Sequence, residues 1–280
     1  MSAWKRMRGF LVAFGAIYLV ILVLFRLFEH RLIFFPDYPG RLSGDWHPKG
    51  LPVEDVWLEA ADGVKLHAWW IRGESADFTF VAFHGNAANV AARAAVYRFL
   101  HGLPANVLAL EYRGYGHSEG SPSEAGLYLD AHAAYDHLNK QRGIAPRRII
   151  SYGQSLGTAV AVDLASKREV GGVVLEAPFP SARAVARHVY WFVPGVAYVA
   201  RSKFDTAGKL ASIHAPMLVV HCTHDPVISS SFGEEVYARA REPKSIWRLE
   251  SECHEEASLV APGEYREQLL RFLSGIKAQN

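Results

Sequence analysis

A chain of 280 residues, half of them hydrophobic and with a formal net charge of only +2, is long enough to bury a sizeable core in one large domain or two small ones. It has no basic stripe interleaved with aromatics, which argues against a nucleic-acid partner. No period of about 20–50 residues repeats, and no low-complexity tract is visible.

The N-terminus departs from a soluble profile. Lys5, Arg6 and Arg8 precede an uncharged apolar run over residues 9–25, which Arg26 interrupts before Leu27 and Phe28 continue it. That length is at the short end of the roughly 17–25 residues that span a bilayer, and Arg26 can snorkel to the interface. A cleaved signal has a shorter apolar region of about 7–15 residues followed by a small-residue cleavage site. Here residues 26–31 read Arg-Leu-Phe-Glu-His-Arg, so residues 1–30 read as an uncleaved signal anchor; the alternatives are a cleaved signal and a buried core helix. The positive-inside rule puts Lys5, Arg6 and Arg8 in the cytoplasm and the body of the protein outside it, in the periplasm of a bacterium or a secretory lumen. Arg26 and Arg31, on the other flank, oppose that orientation.

Residues 31–50, rich in Pro, Gly and aromatics, read as a linker to a catalytic domain over 51–280. Residues 53–58 and 64–71 read as strands joined through Asp62-Gly63, a hairpin signal. Residues 78–83 are a continuous apolar run, the pattern of a strand buried on both faces. The chain then alternates. Helices are predicted over 89–100, 123–138, 156–167, 230–241 and 262–273, and strands over 107–112, 148–152, 170–175, 217–221 and 245–249. Strands separated by helices of this length call for a parallel sheet with right-handed crossovers, here a mixed α/β sheet because of the leading hairpin. Residues 178–215 break the alternation and read as a lid insertion. The aromatics of its Tyr190-Trp191-Phe192 run and Tyr198 line an acyl pocket, rest on a membrane, or simply pack the lid onto the core.

The chemistry centres on residues 149–158, an apolar strand running into Gly153-Gln154-Ser155-Leu156-Gly157 and then into small helix-compatible residues. This is the context of a nucleophile elbow, a sharp strand-to-helix turn that presents the serine hydroxyl to a cleft. A side chain at Gly153 or Gly157 would collide with the neighbouring strand or helix. A serine needs a base, and the base an acid to fix its tautomer. Asp225 follows the strand at 217–221, at the carboxyl end where open α/β sheets place their sites. One histidine follows it in the chain, His254, just beyond the last strand. Glu176 is the alternative acid. An oxyanion hole needs two backbone donors, for which the amides of Leu156 and, in the loop after the third strand, Asn86 are the candidates. Gly85 allows the close approach, and His84 braces that loop. His221 and His224 have half of a metal-site spacing, but no second pair with ligand spacing appears elsewhere, so neither a metal nor a cofactor is expected.

With these residues in view, the chain resembles the BEM46-like branch of the α/β-hydrolase superfamily, which includes α/β-hydrolase domain-containing proteins 13 and 17. The resemblance covers residue 32 to the C-terminus. It rests on Leu32-Ile33-Phe34-Phe35-Pro36, on residues 84–89, on residues 112–120 with Pro122-Ser123-Glu124, on the elbow, and on Ala177-Pro178-Phe179 and Phe204-Asp205 at the lid borders. It implies a serine hydrolase acting on esters or thioesters, with Ser155, Asp225 and His254 as its triad, no cofactor, and an acyl substrate carried by a lipid or an acylated protein. An S33-type aminopeptidase and a non-catalytic binding protein on the same fold are the alternatives. Where the family usually has glycine this chain has Cys222 and Cys253, its only cysteines. They form a disulfide between the Asp225 and His254 loops in an oxidising compartment, or pack as two buried thiols.

Overall fold

A computed structural model describes residues 3–279. The chain opens with helix α1 (Ala3–Ile33), whose residues 4–17 are exposed on every side. It is long and apolar enough to cross a membrane. The body is one eight-stranded sheet with its helices on both faces. The hairpin β1 (Val53–Glu59) and β2 (Lys65–Ile71) leads into β3 (Phe78–Phe83), α2 (Ala94–His101), β4 (Ala105–Leu110) and α3 (Glu124–Asp136). Next come β5 (Ile149–Gln154), α4 (Leu156–Lys167), β6 (Gly172–Glu176), α5 (Ala182–Val189) and α6 (Val196–Val199). The chain ends with β7 (Met217–Cys222), α7 (Ser230–Arg239), β8 (Lys244–Leu249), α8 (Ala257–Val260) and α9 (Pro262–Gln279).

The strand order is β1-β2-β4-β3-β5-β6-β7-β8; β2 runs antiparallel to both of its neighbours, β1 and β4, and the ladder from β4 to β8 is parallel. Sequence dictates this layering. Strands β3, β5, β6 and β7 are buried along their whole length, because helices cover both faces. The edge strands β1 and β8 mix buried and exposed positions. Two apolar clusters follow, one per face. Leu127, Ala131, Val160 and Leu164 of α3 and α4 pack on one face, and Tyr97, Leu100, Leu269 and Leu273 of α2 and α9 on the other. Parallel register brings the carboxyl ends of β3, β5, β7 and β8 to one edge, where the loops carrying residues 84–89, 155, 225 and 254 emerge.

Three departures from the sequence reading have physical causes. The strand expected over 107–112 ends at Leu110: the Glu111 amide still donates to the His67 carbonyl of β2, but the Tyr112 hydroxyl donates to the His84 carbonyl, and the next residue, Arg113, is held by Asp130 and Asp62. That buried arginine fork is what residues 112–120 are built around. The helix expected from residue 89 begins at Ala94, after a 3₁₀ turn in which the Asn89 side chain accepts the Ala92 amide. Residues 31–50 are no free linker. α1 continues to Ile33, Phe34 is buried, the Phe35 amide donates to the Asn86 carbonyl, and Asn89 donates to the carbonyls of Arg41 and Ser43. This stretch straps down the loop after β3.

Cys222 and Cys253 are bonded, with Cα atoms 5.6 Å apart, and join the end of β7 to the loop after β8. Their separation of 31 residues corresponds to a stabilisation of about 3–4 kcal/mol in the chain-entropy account. A Cys222→Ser/Cys253→Ser variant is expected to melt several degrees lower, and the unfolded, unreduced protein to titrate no free thiol. Two thiols titrating before reduction would contradict the bond.

Candidate active site

Ser155 sits between β5 and α4 with φ 49° and ψ −116°, a conformation that L-residues rarely adopt. The flanking glycines make that turn possible. A Cβ on Gly153 would lie 2.3 Å from the Gly157 carbonyl oxygen, and one on Gly157 would lie 2.0 Å from the Phe83 carbonyl oxygen of β3. Strand, turn and helix therefore close to backbone contact, and the serine side chain is pushed out above the sheet.

There the Ser155 hydroxyl donates to His254 Nε2 at 2.8 Å, and His254 Nδ1–H donates to Asp225 Oδ2 at 2.7 Å. Because Asp225 accepts at Nδ1, the tautomer leaves the Nε2 lone pair facing the hydroxyl. Asp225 is itself held. Its Oδ1 accepts the amides of Val227 and Ile228, and its Oδ2 also takes a bond from His221 Nε2–H at 3.2 Å. Burial alone would raise the Asp225 carboxyl, but the hydrogen bonds from His221 and His254 outweigh it and hold the group well below the usual carboxylate range. For His254, burial opposes the imidazolium. The Asp225 hydrogen bond and charge, helped by Glu255 and Glu256, overcome that opposition, so its pKa lies above the ordinary 6.5.

Asn86 and Leu156 line the same cavity as Ser155, and among the described residues no hydrogen bond from either amide to a protein acceptor is formed. Leu156 opens α4, so its N–H is one of the helix's free donors and carries the positive end of the dipole. The Asn86 loop is fixed from several sides. Its carbonyl accepts the Phe35 amide and the Tyr115 hydroxyl, and its side chain donates to the Ile33 carbonyl at the end of α1. His84 bridges the Gly85 carbonyl and Glu111, as expected of a brace. At Gly85 a Cβ would lie 2.5 Å from Glu255 Oε2, because the Arg93–Glu255 ion pair is pressed against the loop.

Glu176, the alternative acid, is turned elsewhere. Its carboxylate accepts the Tyr152 hydroxyl, Gln154 Nε2 and the Ala257 amide, and burial raises its pKa. That network positions the start of α8 rather than the histidine. The His221–His224 pair does not converge: His221 bonds Asp225 and the Ile228 carbonyl, His224 faces Glu250, and no cluster of three metal-binding side chains occurs among the described residues. Sequence reasoning missed His221 as a second donor to Asp225. The signal lay in the spacing, since a turn after β7 brings residues 221 and 225 together, and in Gly233, where a Cβ would lie 2.3 Å from the His221 ring.

Ser155 opens onto an apolar cavity of about 260 Å³, slightly below the usual ~300–1,000 Å³ of small-molecule sites. The lid supplies Val185, Val189, Tyr190 and Val199, and α1 supplies Phe25, Leu32 and Ile33. The one carboxylate lining it, Glu29, is consumed by the amides of Arg201 and Ser202.

Comparison with known proteins bears on the fold and the family. Residues 74–206 match the family described as serine aminopeptidase, S33. An uncharacterized protein of Mycobacterium tuberculosis is 35% identical over 250 residues, covering 88% of this chain and 87% of its own. The α/β-hydrolase domain-containing protein WAV2 of Arabidopsis thaliana is 34% identical over 284 residues, covering 93% and 92%. Among solved structures, the esterase Pf2001 of Pyrococcus furiosus superposes with a TM-score of 0.71 at 24% identity, covering 86% of this chain and 97% of the esterase. That last likeness establishes the fold.

Proposed function

This chain belongs to the family of α/β-hydrolase domain-containing proteins, and from that premise we propose that it is a membrane-anchored serine hydrolase cleaving ester or thioester bonds through an acyl-enzyme. The observation that carries the reading is the unbroken chain Ser155–His254–Asp225, ending on a strained serine in an apolar cavity beside two unengaged amides. Ser155 Oγ attacks the acyl carbonyl as His254 Nε2 takes its proton. The developing oxyanion accepts hydrogen bonds from the Asn86 and Leu156 amides. His254 then returns the proton to the leaving alcohol or thiol, the C–O or C–S bond breaks, and the acyl group stays on Ser155. Water, deprotonated by His254, repeats the sequence and frees the carboxylic acid. Asp225 keeps His254 in the required tautomer throughout. α1 spans the membrane with Lys5, Arg6 and Arg8 in the cytoplasm and the catalytic domain outside it, an environment in which the Cys222–Cys253 bond persists.

Recognition of a peptide's free amino terminus would call for a carboxylate in the cavity. Each oxygen of Glu29 already takes a backbone amide and Glu176 faces away, which favours acyl over aminopeptidase substrates. The test sets p-nitrophenyl esters and acyl thioesters beside aminoacyl p-nitroanilides, using the full chain in detergent. Ester or thioester turnover exceeding anilide turnover supports the proposal, and the reverse preference contradicts it.

His254 must be neutral to accept the serine proton, and its pKa is raised. Activity is therefore expected to rise with pH through a midpoint above 6.5. A kcat/KM flat between about pH 5 and 8 would contradict His254 as the base, and a midpoint below 6.5 would contradict the upward pull of Asp225 on it.

A further inference from the structure

We infer that the end of α1, from Phe25 to Ile33, is a wall of the acyl site, and that the substrate's acyl chain enters between α1 and the lid from the membrane leaflet itself. The inference rests on the hydrolase reading and adds the source and shape of the substrate. Along α1, Glu29 is buried and Tyr18, Leu22, Phe25 and Ile33 are partly shielded from solvent, at spacings of three and four, so one face of the helix leans on the domain. What it leans on is the lid. The Tyr18 hydroxyl donates to the Pro194 carbonyl, and Phe25 meets Tyr190 edge-on at 4.7 Å. Arg26 donates to the Val199 carbonyl, and Glu29 takes the amides of Arg201 and Ser202. The end of the helix reaches the chemistry, because the Ile33 carbonyl accepts the side chain of Asn86.

The depth of these contacts follows from length. The uncharged run over 9–25 holds 17 residues, about 25 Å of helix. A hydrocarbon core of about 30 Å takes up all of it. Tyr18, Leu22 and Phe25 are then at membrane level, and so are the lid residues that touch them. The lid is built for that position: Trp191, Phe192 and Tyr198 are 77%, 63% and 67% exposed, an unusual display in water but an ordinary one at a bilayer interface. The cavity that Phe25, Leu32 and Ile33 share with Ser155 thus has its apolar walls continuous with the leaflet. A long-chain acyl ester resident in the bilayer fits this geometry, with its carbonyl at Ser155 and its chain along α1.

The experiment uses the full chain in phosphatidylcholine vesicles with p-nitrophenyl acetate, hexanoate and decanoate, comparing Ile33→Trp, Phe25→Ala and Leu19→Trp. Leu19 is on the lipid-facing side of the same helix, 62% exposed. The unaltered chain is expected to prefer decanoate. Ile33→Trp takes the room of about two methylenes, so at roughly fourfold per methylene the decanoate-to-acetate ratio of kcat/KM falls about fifteenfold. Phe25→Ala opens the wall and moves the preference toward longer chains. Leu19→Trp leaves the ratio alone. A ratio insensitive to Ile33→Trp and Phe25→Ala while esters still turn over would overturn the role of α1 and leave the hydrolase standing. An equal fall in Leu19→Trp would overturn it too, by tracing the effect to the membrane span in general. No turnover of any ester, acetate included, would overturn the hydrolase reading and this inference with it.

Discussion

Ser155→Ala lowers kcat for ester hydrolysis by about 10⁵- to 10⁶-fold and leaves the melting temperature essentially unchanged. Among the described residues the hydroxyl's one protein partner is His254 Nε2, so its loss removes the nucleophile without orphaning a buried donor. Alanine inherits the backbone at φ 49° with no larger side chain to strain it. His254→Ala costs a similar factor, because a serine without its base is a weak nucleophile. The two losses do not add: the double variant is expected to be no slower than either single one, since each already stops the same step. Rates measured with a short p-nitrophenyl ester check all three. A Ser155→Ala enzyme retaining more than a few per cent of the rate would place the nucleophile elsewhere.

Gly157→Ala produces the second large effect, on folding rather than chemistry. The added methyl carbon would lie 2.0 Å from the Phe83 carbonyl oxygen and 2.6 Å from its carbon, with the His84 carbonyl oxygen at 2.8 Å. All three are backbone atoms of β3 and the loop after it, which cannot rotate aside. α4 must lift off the sheet at the point where ten of its residues are buried. The expected cost is at least about 4 kcal/mol, a fall of roughly 10 °C or more in melting temperature for a domain this size. Activity would fall as well, because the same shift moves the Leu156 amide. Gly275→Ala is the contrast. It is on α9 with nothing within 4 Å of the new carbon, so it should be neutral or stabilise by about 0.5–1 kcal/mol through helix propensity. Melting curves of the two variants decide the matter; similar curves would contradict the tight β3–α4 contact.

Much of the fold is legible in the sequence for one reason. Strands buried on both faces are rich in apolar residues, which is why residues 78–83, 148–152 and 217–221 read as strands from the sequence. The candidate serine is legible because an elbow leaves steric marks: Gly153 and Gly157 are required by the collisions their side chains would make, and sequence spacing alone exposes them. The acid and base were narrowed by chain order, since one histidine follows Asp225. What stayed hidden has no period. The strap over 31–50 has neither helical nor strand patterning. Its role comes from long-range bonds such as the Phe35 amide to Asn86 and Asn89 to Arg41. The π-helical turn His137–Gln141 after α3, which buries His137 and Leu138, is likewise marked by no period. α1 shows the opposite failure. Its hydropathy is so strong that it reads only as a span, and that masks a stripe whose single carboxylate, Glu29, was the clue that one face meets protein.

The central claim is that His254 activates Ser155 for attack on an acyl carbonyl. It is tested most directly by labelling the full chain in detergent with a fluorophosphonate and mapping the adduct by peptide mass spectrometry. The account predicts one phosphonylated residue, Ser155, with labelling abolished in Ser155→Ala and slowed by orders of magnitude in His254→Ala. Folded protein that takes up no label, or label that survives Ser155→Ala on another residue, would contradict it.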